Sequence, residues 1–246
     1  MSTAAPSPHA ATTATADAPS ALIGRHHFVL RRLHSLTGLV FGGYLIVHLL
    51  VNATIAQGGI VYQQQVDKIH SLPFLPVIEW SLIYLPILFH TVYGIWITMT
   101  GQPNIDRYRY AKNIFYVLQR ASAIVIVLFM LFHVLALKYG LLGKSLSFDP
   151  EHAMGTVGRH LDHGLLVWIV YPLGILASCY HLANGFWTAG ITWGLTVSNA
   201  SQKRWGYVCA GLFVVIFIAG MMALIAGANL NWRDMLNVQQ QLGHGA

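Results

Sequence analysis

Four histidines, His48, His90, His133 and His181, fall one each in four successive apolar stretches of the 246-residue chain. A strongly polar side chain at membrane depth is costly and is retained there for function. A lone histidine could be a satisfied core residue, but one in each of four successive stretches points to a shared task. Imidazole can ligate a metal or a haem iron, or pass protons along a relay. Which of these applies depends on how the surrounding elements align the rings.

The composition says what those elements are. The chain is 55% apolar and only 9% charged, whereas a soluble domain carries roughly a quarter charged residues. Runs of about 20 apolar residues, the length that crosses a bilayer, occur at about 36–56, 80–99, 121–139, 165–186 and 207–226. Lipid offers no partner to an unpaired backbone group, so such runs must be helical. The short alternating segments of a membrane β-barrel do not occur. The expected fold is an all-α membrane protein, five transmembrane helices in one bundle. Residues 1–24, rich in Ala, Thr, Pro and Ser, read as a disordered tail without the apolar core of a signal peptide. Residues 25–230 form the bundle and 231–246 a short polar tail. Cys179 and Cys209 lie inside spans and read as packing residues.

Five spans place the two termini on opposite sides of the membrane. The N-terminal side holds nine of the fourteen basic residues, among them Arg25, Arg31, Arg32, Arg107, Arg109, Lys112 and Arg120, against Asp17 and Asp106. The other side holds five basic residues against six acids. The positive-inside rule therefore puts the N-terminus in the cytoplasm and the C-terminus outside. The net charge of +6 is read as topology and a docking face, with no nucleic acid as partner.

Depth sorts the histidines. His48 and His133 lie on spans running outward, each about thirteen residues in, or roughly 18 Å at about 1.5 Å per residue. His90 and His181 lie on spans running inward, each past the midpoint. Two pairs at two depths result: His48 with His133 in the outer half, His90 with His181 in the inner half. One turn after His90 and His181 come Gly94 and Gly185, small enough to let a flat macrocycle approach the helix. One turn before His48 and His133 come the aromatics Tyr44 and Phe129. Gly38 and Gly42 form a GxxxG face whose ordinary use is close helix packing. Imidazole pairs between facing helices suit haem iron. Zinc or copper calls for ligands converging on one ion. A proton relay remains open to these residues. The sequence carries no GxGxxG, no P-loop and no cysteine set for an iron–sulfur cluster, so electrons from a soluble substrate require a partner. The stretches Arg25 to Arg32 and Arg107 to Lys112 are where it would dock.

In order along residues 24–226 run Arg31-Arg32-Leu33-His34-Ser35-Leu36, His48-Leu49 with Val51-Asn52, Ser71-Leu72-Pro73-Phe74, Leu85-Pro86 with His90 and Val92-Tyr93-Gly94. Leu118-Gln119-Arg120, His133, His181 with Asn184-Gly185 and Trp187, and Thr192-Trp193-Gly194 follow. With histidine spacings of 42, 43 and 48, this series resembles the di-haem cytochrome b membrane anchor of bacterial succinate dehydrogenase, and is similar to the fumarate reductase anchor. The resemblance implies two haem b groups, the inner held by His90 and His181 and the outer by His48 and His133. It implies haem-propionate contacts at His34, Ser35, Tyr116 and Arg120. It implies a flavoprotein subunit and an iron–sulfur subunit at the cytoplasmic face of the bacterial inner membrane, delivering electrons from succinate to a quinone, menaquinone by analogy with di-haem relatives. One position departs from the family: where related anchors carry an acid that handles quinone protons, this chain has His70. Histidine can exchange a proton near neutral pH, and Glu79 is the other candidate. Alternatives are a cytochrome b anchor of hydrogenase or formate dehydrogenase type, and a haem-free histidine-relay transporter.

Overall fold

The computed structural model describes residues 18–101, 110–162 and 164–231, without the side chains of 18–25 and 145. Among these the regular elements are all helical: α1 (Ala18–Ala53), α2 (Gly59–His70), α3 (Leu75–Glu79), α4 (Leu85–Thr100), α5 (Ala111–Leu137), α6 (Ala153–Leu161), α7 (Leu165–Thr192) and α8 (Asn199–Ala228). Five segments are long and apolar enough to cross a membrane: His26–Gln57, Leu75–Thr100, Ala111–Leu137, Leu165–Thr192 and Asn199–Ala228. These are the five expected spans, extended at their ends. α1 begins inside the stretch read as a tail, and α5 begins ten residues before its apolar window (111 against 121). Hydropathy falls where charge begins, but Arg, Lys and Gln are good helix formers and the backbone runs on. The remainder of the expected tails, residues 1–17 and 232–246, and the basic residues Arg107 and Arg109 lie outside the described residues.

Contacts divide the chain into two units, residues 1–33 and 34–246. In the first, the Arg32 guanidinium lies over the Phe28 ring at 5.1 Å. The second holds the bundle, and its centre is α7. Val167, Tyr171, Ile175 and Cys179 recur every four residues on one face, followed by Leu182, all buried. That stripe meets Leu49 of α1, Phe129 and Phe132 of α5, and Ile216 and Leu224 of α8. Small residues let the helices close up: Gly220 faces Ile175 and Leu49, Gly174 faces the Phe129 ring, and Gly190 faces the Trp205 indole. α5 with α7 and α7 with α8 make the close backbone approaches.

Local signals set the helix ends. Ser198 and Ser201 form a reciprocal capping box at the start of α8, each hydroxyl accepting from the other's backbone N–H at 3.1 Å. Between α3 and α4 the chain makes one π-helical turn, Trp80–Tyr84. Pro86 follows it and has no N–H to offer the Leu82 carbonyl, so the ladder must change register there.

Two short helices outside the apolar windows, α2 and α6, were not foreseen. They pack together over Ile55, Tyr62, Val66, Ala153 and Met154. Gln63 ties them, donating from Nε2 to the Pro150 carbonyl at 2.7 Å while its Oε1 accepts from the Met154 N–H at 3.4 Å. This cap sits at the end of the bundle where α1 and α8 finish. Burial there pushes the Tyr62 phenol pKa up, so the group stays neutral.

Candidate functional site

The four intramembrane histidines meet in the expected twos. His48 and His133 have ring centroids 6.1 Å apart with planes at 88°. His90 and His181 have centroids 6.1 Å apart with planes at 86°. Two imidazoles bound to one metal ion from opposite sides, through bonds of about 2 Å, have centroids about 6 Å apart. The two sites, built from different helices, thus share one spacing and one near-perpendicular arrangement. Among the described residues no group of three or more His, Cys, Asp or Glu comes together.

Each ring is held by Nδ1. The His90 Nδ1–H donates to the His34 carbonyl at 2.9 Å. The His181 Nδ1 lies 3.2 Å from the Gln119 carbonyl and 3.3 Å from the Ser122 hydroxyl. The His133 Nδ1 meets the Tyr171 hydroxyl at 3.2 Å, and the His48 Nδ1 meets the Tyr44 hydroxyl at 3.5 Å. A carbonyl only accepts, so His90 and His181 carry their proton on Nδ1 and present a bare Nε2. Such bonds fix tautomer and ring orientation in metal-ligating histidines. All four are so arranged that the nitrogen left over is the one able to ligate.

The supports come from neighbouring helices. Gln119 of α5 grips α7 at three points: its Nε2 donates to the His181 carbonyl at 3.1 Å, its Oε1 accepts from Asn184 at 2.7 Å, and its own carbonyl takes the His181 ring proton. The His34 ring stacks on His90, centroids 4.0 Å apart and planes 10° from parallel. Gly38 permits this: a Cβ there would lie 2.5 Å from His90 Cε1. Of the two glycines expected to make room, Gly185 has the Gln119 amide in ordinary contact at 3.7 Å, whereas Gly94 is closed by the His34 ring at 3.1 Å.

Of the expected propionate residues, His34 touches the His90–His181 pair. The Ser35 hydroxyl accepts from the Trp193 indole at 3.0 Å. The Arg120 guanidinium lies 3.4 Å over the Tyr116 ring, and both face Gly101 at the end of α4. Arg120 Nε and His34 Nδ1 are buried with no hydrogen-bond partner among the described residues.

His70 and Glu79 are not brought together by any bond. His70 is the exposed last residue of α2. Glu79 ends α3, one turn inside the span, and is partly buried. Beside it, Lys138 donates to Tyr84, which joins the end of α5 to the π-helical turn. That bond, with Glu79 and Tyr139 nearby, holds the Lys138 pKa above its usual value.

Tyr171, Ser122 and His160 were not singled out from sequence. Tyr171 and Ser122 read as ordinary residues of apolar spans, and His160 lies between spans, where no periodicity marks it.

Residues 101–220 match the family model described as the succinate dehydrogenase/fumarate reductase transmembrane subunit. The chain is 34% identical over 205 residues to the succinate dehydrogenase cytochrome b558 subunit of Bacillus subtilis (strain 168), an alignment covering 82% of this chain and 98% of that protein.

Proposed function

The chain belongs to the succinate dehydrogenase/fumarate reductase transmembrane-subunit family, as a multi-pass cytochrome b anchor, and from that premise we propose that it carries two b haems. His48 and His133 hold one, and His90 and His181 hold the other. The observation that carries this reading is the repeated geometry, two imidazole pairs at 6.1 Å and nearly perpendicular, each ring held by Nδ1. The fit rests on imidazoles that face one another between helices, His48 of α1 with His133 of α5 and His90 of α4 with His181 of α7. When bound, b haem supplies one-electron redox chemistry between the soluble subunits of the dehydrogenase and a membrane quinone.

The protein's own residues orient and insulate. The Nδ1 bonds raise imidazole basicity and with it the stability of the ferric state. Arg120, Tyr116, Ser35 and His34 are proposed to receive the propionates of the His90–His181 haem. With the N-terminus in the cytoplasm, that haem is the inner one, next to the flavoprotein and iron–sulfur subunits, and the His48–His133 haem is the outer one. Quinone chemistry is placed near the outer haem, where Glu79 and Lys138 flank the π-helical turn and His70 closes the cap helix; menaquinone is the proposed quinone. Dicarboxylate chemistry belongs to the soluble subunits.

Haem counted per chain by pyridine haemochrome, in the purified complex, tests the reading. Two haems are expected, falling to one in each of His48→Ala, His90→Ala, His133→Ala and His181→Ala. One haem in the unmodified chain, or a variant series that leaves both in place, overturns it.

A further inference from the structure

We propose that His160 is a positioning residue for the His48–His133 haem, acting through Tyr171. The proposal rests on the reading that His133 ligates that haem. His160 lies on α6, outside the five spans, and is only 1% exposed, one of the largest fully buried side chains. Its Nε2 is 2.8 Å from the Tyr171 hydroxyl, which is 3.2 Å from the His133 Nδ1. The Tyr171 ring stands edge-on to both imidazoles, 5.6 Å from His160 and 5.7 Å from His133.

The direction of these bonds follows from the ligand. With Nε2 committed to the iron, His133 carries its proton on Nδ1 and donates to the Tyr171 oxygen. The Tyr171 proton is then free to be donated, and the His160 Nε2 is its acceptor. A hydroxyl that gives its proton away is a better acceptor, because hydrogen bonds in a chain polarise one another. His160 therefore strengthens the bond that makes His133 electron-rich. The other ligands are supported differently. His90 rests on a backbone carbonyl, His181 on the Gln119 carbonyl with the Ser122 hydroxyl at 3.3 Å, and the His48 bond to Tyr44 is longer, at 3.5 Å. Burying a histidine is costly unless it is bonded, and here the bond leads to the haem ligand.

The test is a redox titration of both haems in membranes holding the whole complex, with the low-spin ferric signals read by electron paramagnetic resonance. Tyr171→Phe keeps the ring and its packing but removes the acceptor. It should raise the midpoint potential of one haem and leave the other unchanged. His160→Leu should shift the same haem in the same direction by less. His160→Gln, whose amide oxygen still accepts from Tyr171, should return it towards the starting value. His160→Leu added to Tyr171→Phe should produce no further shift. Unchanged potentials in Tyr171→Phe, or a His160→Leu shift that persists in full without the Tyr171 hydroxyl, overturns the proposal. Should His160→Leu fail to assemble, Tyr171→Phe and His160→Gln decide alone. Failure of the underlying reading shows separately, as a haem count below two in the unmodified complex.

Discussion

An alanine at Gly38 tests the His90 site most sharply. Its Cβ would stand 2.5 Å from His90 Cε1 and 2.7 Å from Nδ1, whereas ordinary contact begins at 3.4 Å. The ring must retreat by the difference, 0.9 Å. Metal–ligand distances tolerate about 0.2 Å. The ring has little freedom to move, since it is stacked on His34 and bonded to the His34 carbonyl. Overpacking of this kind costs about 1–3 kcal/mol, a factor of about 5 to 150 in haem retention at 25 °C. Helix propensity works the other way, favouring alanine over glycine by about 1 kcal/mol. Gly43 on the same helix isolates that term, because a Cβ there meets nothing within 4 Å. Gly38→Ala should yield one haem per chain at a haem supply that loads the unmodified protein twice, with the remaining difference spectrum intact. Gly43→Ala should keep two haems and melt no lower than the unmodified protein. Two haems with unchanged spectra in Gly38→Ala would refute the reasoning.

Gln119→Leu strands the Asn184 amide and removes the second bond to the His181 carbonyl, and should weaken the His90–His181 haem by about 1–3 kcal/mol with the other haem unaffected, read by stepwise haem loss in detergent. Gly174→Ala drives a methyl into the Phe129 ring and should lower thermal stability by about 1–3 kcal/mol. Ser198→Ala removes one arm of the α8 capping box; a loss of about 0.5–2 kcal/mol, with no change in haem spectra, is expected from a calorimetric melt. Glu79→Gln should slow quinone reduction while both haems remain. An unchanged rate would remove Glu79 from the quinone site.

The five spans and the pairing of the histidines were legible because bilayer thickness and helix rise tie position in sequence to depth. The ends of the helices were less so: the windows see apolarity, and α1 and α5 continue through Arg, Lys and Gln. The cap escaped notice because α2 and α6 are too short to make an apolar window of their own, and Tyr62 and Val66 find their partners only across the fold. Ring supports are hardest to read. The acceptors for His90 and His181 are backbone carbonyls, which every residue has, so nothing in the identity of His34 or Gln119 announces the bond. Gly94 shows the limit of spacing arguments. It stands on the expected face, but His34, from another helix, fills the space.

The meeting of α1 with α5 and of α4 with α7 through their histidine rings bears on how the cell makes and keeps this protein. On the proposed reading each haem bridges two helices, so the stability of the finished bundle depends on haem supply. A ligand held at 100 times its dissociation constant contributes about 2.7 kcal/mol to the native state, a large part of a marginal stability. Under haem starvation the chain would lose that contribution and be more readily cleared by membrane proteases. The abundance of the anchor, and of any complex that assembles on it, would then follow porphyrin supply without a dedicated regulator.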